Sequence, residues 1–117
     1  MTRWVLILMI LTACGPHTAK DCRREAEGTM RALIAQLEQV ETRDDLLAKE
    51  AKLKKLYAKM GDLVVEAERL GGTARPPDGE LNERLKEELV RVYGLPGGRE
   101  IVERAQGEAL HRLAALR

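Results

Sequence analysis

The sequence predicts an all-α protein, a small antiparallel helical hairpin or bundle of about four helices. Three observations predict it. Leu, Ala, Glu, Lys and Arg dominate the composition, as they do in helical proteins. Apolar residues recur at alternating steps of three and four, first between Ala26 and Val40 and again between Leu53 and Leu70. No stretch of strand length alternates apolar and polar residues, and after the first dozen residues β-branched residues stand in pairs at most.

The first helix is expected to start near Thr18 or Asp21, either of which can cap it, with Glu25 and Glu27 suiting its first turns. It runs to about Val40, and Ala26, Met30, Leu33, Leu37 and Val40 form its stripe. Gly28 weakens it by about 1 kcal/mol relative to Ala. Residues 41–45 interrupt the pattern. Thr42 then caps a second helix, with Asp45 as an acidic capping-box residue three positions on. That helix covers about Arg43 to Leu70. Its stripe is Leu53, Leu56, Met60, Leu63, Ala67 and Leu70, widened by Leu46, Leu47, Tyr57 and Val64. Two matching stripes across a short break read as an antiparallel hairpin. One continuous helix of roughly 50 residues competes with it, because no Gly or Pro marks the break. Gly71 and Gly72 end the second helix. A loop around Pro76 and Pro77 follows. The third helix covers about Glu80 to Tyr93, with Leu81, Leu85, Leu89 and Val92 on one side. Glu80, Arg84 and Glu88 stand at i+4 steps suited to surface pairs. After Gly94–Gly98 the fourth helix covers about Arg99 to Leu116. It turns Val102, Ala105, Ala109, Leu113 and Leu116 inward, with Ile101 and Leu110 flanking. Its alanines allow close approach to a neighbour.

The first fourteen residues carry a different signal. Arg3 gives a short positive n-region, Trp4–Leu11 is an apolar run of eight residues, and small Thr12 and Ala13 precede Cys14. The run is far below the roughly 20 residues a bilayer span needs, so it reads as a removable export segment. The order Leu11-Thr12-Ala13-Cys14 resembles the lipobox of bacterial lipoproteins. The resemblance covers residues 1–14 alone and implies cleavage between Ala13 and Cys14, with lipidation of Cys14. It further implies anchoring in the cell envelope, and in a two-membrane bacterium Gly15, rather than Asp, after the Cys favours the outer membrane. An ordinary secretory signal ending near a cysteine is the plainer alternative. The expected organisation is a signal peptide (1–13), a lipidated tether (14–20), the hairpin (21–71), a Pro/Gly linker (72–79) and a helical pair packing on the hairpin (80–117).

Composition narrows function by exclusion. Without residues 1–13 the chain has 19 basic and 19 acidic residues, unlike the basic excess of a nucleic-acid binder. It then contains no Ser, Phe or Trp, so its core must be aliphatic and Ser-His-Asp chemistry is excluded. His17, Cys22 and His111 lack metal-ligand spacing, and the glycines match no phosphate-cradling pattern. No catalytic residue, cofactor or metal is expected. Once Cys14 is acylated, Cys22 is the odd thiol. It is either a tolerated thiol at the foot of a helix or the half of an intermolecular disulfide. Residues 49–59 hold five lysines and one glutamate, and Lys52, Lys55 and Lys59 share a helical face. That face is either solvated or a contact for an anionic surface, whether lipid headgroups, an envelope polymer or an acidic partner.

The expected function is a small membrane-anchored envelope lipoprotein, not an enzyme, binding another envelope protein through its helical surface. One alternative is a parallel coiled-coil homodimer stapled at Cys22. Another is a secreted helical factor without lipid.

Overall fold

The computed structural model describes residues 18–71 and 79–115, and these form four helices with no strand among them. The expected signal segment, the Ala13–Cys14 cleavage pair and nearly all of the 72–79 linker lie outside those residues. Helix α1 covers Ala19–Glu38, α2 Arg43–Arg69, α3 Gly79–Tyr93 and α4 Gly98–Ala114.

The helix boundaries have identifiable physical causes. The Thr18 hydroxyl accepts from the Asp21 N–H at 3.1 Å and starts α1. The chain turns at residues 39–42 with no glycine and no positive φ. Three devices replace them. The Val40 N–H donates to the Leu37 carbonyl in a tightened last turn. Thr42 and Asp45 close a reciprocal capping box that begins α2 afresh. The Arg91 guanidinium, from α3, donates to the Leu37 and Val40 carbonyls at 2.6 Å each. It thereby gives the Leu37 carbonyl a second donor beside the Val40 N–H and supplies a donor to the Val40 carbonyl just past the end of α1. At the end of α2, Gly71 takes φ +79°, the left-handed conformation of a C′ glycine.

Helices α1 and α2 form the expected antiparallel hairpin. Lys49 near the start of α2 reaches Gln36 and Gln39 near the end of α1 at 2.8 and 2.5 Å. Cys22 at the start of α1 lies in the field of Glu66 and Arg69 at the end of α2. The C-terminal pair straddles this hairpin. Helix α3 runs parallel to α1: Leu81 packs with Met30 and Ile34, and Arg91 reaches Val40. Helix α4 runs parallel to α2: Arg104 pairs with Glu50, Arg112 pairs with Asp62, and the Ala109 backbone faces Gly61. The α2–α4 packing is the most extensive, and α3 and α4 touch each other least.

Both interhelical turns therefore sit at one end of the bundle. Leu37, Val40, Leu46, Leu53, Val92 and Val102 are fully buried there, with Leu33, Ile101 and Ala105 packed among them. Arg99 stacks over the Tyr93 ring, 5.6 Å from its centroid, across the 94–97 turn. Gly97 takes φ +70°, and a Cβ on Gly98 would lie 2.1 Å from the Val92 carbonyl oxygen. Only glycine fits that approach of backbone to backbone. At the other end, Met30, Ile34 and Leu81 make a smaller cluster, bridged to the first by Met60 and Leu85.

Several positions differ from the sequence expectation. Ile34 is buried beside the stripe of α1 because α3 covers that flank. Thr29 is buried, and its hydroxyl donates to the Glu25 carbonyl at 2.9 Å. Leu47 and Leu110, expected to widen their stripes, are exposed. Arg84 reaches across to Glu38 on α1 at 2.6 Å, and Glu88 holds Arg91. An i+4 neighbour offers an exposed arginine little advantage over a cross-helix carboxylate.

Candidate functional site

Two surface features distinguish the bundle. One is an apolar groove of about 250 Å³ between α2 and α4, away from the interhelical turns. Its walls are Tyr57, Met60, Gly61 and Val64 on one side and Gln106, Ala109, Leu110 and Leu113 on the other. Gly61 and Ala109 form its floor, since a Cβ on Gly61 would rest 3.4 Å from the Ala109 Cα, an ordinary contact. The expected close approach of an alanine helix is therefore made to α2. The Tyr57 hydroxyl is buried without a hydrogen bond of good geometry. Burial pushes its pKa up, while Gln106, reaching toward it from α4, opposes the shift.

The second feature is the lysine face of α2. All ion pairs between described residues are made by arginine: Arg69, Arg84, Arg91, Arg99, Arg104 and Arg112. No lysine joins one. Lys52, Lys55 and Lys59 are exposed on successive turns of α2. The nearby carboxylates are engaged elsewhere: Glu50 with Arg104, Asp62 with Arg112 and Glu66 with Arg69. Their arginines hold two of these contacts in bidentate or forked form, which a lysine cannot copy. Lys49, counted with the basic run in the sequence, leaves it by turning to Gln36 and Gln39. Lys55 and Lys59 at i+4 repel each other by a few tenths of a kcal/mol. This face thus gives up a little stability and keeps its charge for solvent or a partner.

Cys22 is a free thiol, 1% exposed, at the junction of α1 with the end of α2. Its pKa is raised, first by burial and then by Glu66, Glu25 and Asp21. His111 is exposed on α4 and is not among the groups bearing on it. A disulfide through Cys22 to another chain requires the foot of α1 to open first. The stripes of α1 and α2 that would zip two chains are buried within one.

Ala13, Cys14 and His17 lie outside the described residues. Among the described residues no group of His, Cys, Asp and Glu is arranged to hold a metal ion. None of the described helices is long and apolar enough to cross a membrane. No family model, curated protein or solved structure matches the chain.

Proposed function

We propose that this chain is a small envelope lipoprotein, anchored through acylated Cys14, whose bundle is a non-catalytic binding module. One observation carries the binding half of this reading. Lys52, Lys55 and Lys59 stand exposed on one face and form no ion pair with a described residue, while Glu50 and Asp62, the acids of α2 nearest them in sequence, are bound to arginines of α4. An acidic face on another envelope protein is the partner that this arrangement fits. The anchoring half rests on the order of charge, apolar run, small residues and cysteine in residues 3–14. Two or more acyl chains hold a protein stably to a bilayer, so no spanning helix is required.

Palmitate labelling of the full chain in a bacterial host, beside Cys14→Ala, tests the anchor. Label and membrane pelleting in the wild type alone are expected. A soluble, unlabelled export product would instead make this a secreted helical factor with Cys14 free. Crosslinking in the intact envelope, repeated with Lys52, Lys55 and Lys59 all changed to Gln, tests the face. The expected partner adduct disappears in the triple variant, and its survival would contradict the assignment.

A further inference from the structure

A second set of cations lies at the foot of α1. Lys20, Arg23 and Arg24 are exposed there and, with Glu27, line one concavity of about 210 Å³. Their spacing of three, four and seven residues from Lys20 to Glu27 puts all four on one side of the helix. None of the three cations forms an ion pair with a described carboxylate. Asp21 and Glu25 fall on the side that bears on Cys22.

For Lys20 this placement works against the helix. The first turns of a helix carry the positive end of its dipole, where anions are favoured and cations are not. Arg69, Arg91 and Arg112 occupy last turns and each binds a carboxylate, and Arg99, in the first turn of α4, binds Glu103. None of the three cations at the foot of α1 is paired with a described acid, and Lys20, in the first turn, also sits against the dipole. An anionic surface would offset both deficits.

Chain length says which surface. The helix cap Thr18 stands four residues on from Cys14, a reach of at most about 14 Å in any conformation. A further six helical residues, about 9 Å along the axis, reach Arg24. We infer that Lys20, Arg23 and Arg24 form a headgroup-binding collar that seats the foot of α1 on the phosphates of an anionic membrane. Glu27 sits at the upper rim and leaves the collar a net charge of two. This inference rests on the reading of Cys14 as the lipid anchor. Seated this way, the bundle points its interhelical turns away from the bilayer and leaves the lysine face of α2 along its flank.

The test uses the full chain carrying Cys14→Ser, so that no acyl chain contributes. Its affinity is measured for vesicles of phosphatidylcholine alone and for vesicles holding roughly one-third phosphatidylglycerol. Each basic residue near such a surface strengthens binding by about fivefold. The expected preference for the anionic vesicles falls by about a hundredfold when Lys20, Arg23 and Arg24 all become Gln. It falls by about fivefold for Arg24→Gln alone, and it collapses in the parent at 0.5 M salt, on the order of a 4 Å screening length. The apolar run and Arg3 are common to every protein compared. An unchanged preference in the triple variant would overturn the collar, as would its transfer to the Lys52, Lys55 and Lys59 variant. A failure of palmitate labelling would remove the anchor without touching this vesicle result, so the two failures are distinguishable.

Discussion

The two ends of this bundle are built differently. At the turn end, four helices meet on fully buried aliphatic residues, and the backbone approaches so closely at Gly98 that no side chain fits. At the far end, Met30, Ile34 and Leu81 form a small cluster, and the α2–α4 groove lies open. The difference teaches where a small core is spent. A chain of this length buries roughly 60–65% of its unfolded surface, too little for dense packing throughout. Its best packing is gathered at one end, and the other end keeps the groove, the thiol and the basic foot of α1.

Core truncation should break this comparison most visibly. Leu53→Ala at the turn end should cost about 3–5 kcal/mol, and Leu81→Ala at the far end about 2–3 kcal/mol, measured by urea unfolding. Equal losses would mean that the two clusters are one core. A glycine pair gives a sharper contrast. Gly98→Ala drives a methyl into the Val92 carbonyl and should cost at least about 2 kcal/mol. Gly61→Ala meets Ala109 at ordinary contact distance and should change stability by less than about 1 kcal/mol.

Arg91 comes next. It ties α3 to the end of α1 through the Leu37 and Val40 carbonyls. Arg91→Met keeps much of the apolar stem and should still cost about 1.5–2 kcal/mol, because charged hydrogen bonds to those carbonyls are lost. The smallest effect concerns acid. Backbone N–H bonds from Glu41 and Thr42 hold the Asp45 carboxyl below its ordinary pKa. A lowered folded-state pKa contributes stability that is present above the unfolded value, near 3.9, and is lost as pH falls through the folded value. Asp45→Asn should therefore flatten the stability profile below about pH 4 and leave its shape above pH 6 unchanged.

Much of this architecture was legible in the residues. The stripes of α1 and α2, the Thr42–Asp45 capping box and the glycine stops are local signals, and local physics decides them. The hairpin also followed, although no glycine marks its turn. What replaces the glycine is Arg91, 51 residues from Val40, and no local pattern announces such a contact. The parallel pairing of α3 with α1 and of α4 with α2 was equally hidden, because periodicity gives the buried face of a helix and not its neighbour. The lysine run was visible as composition. Its lack of partners was not, since Glu50, Asp62 and Glu66 become unavailable through arginines on α4 and on the last turn of α2. The burial of Cys22 depends on the far end of α2 and was hidden for the same reason.

Native-state hydrogen exchange, resolved by residue in the full chain, tests the contrast between the two ends most directly. Amides of Leu37, Leu53 and Ile101 should exchange through global unfolding, with the full urea dependence. Amides of Val64, Ala67 and Ala109 should exchange through a partial opening of lower free energy and weaker urea dependence. Equal protection at both ends, with one shared urea dependence, would contradict the account and make the bundle a single cooperative core.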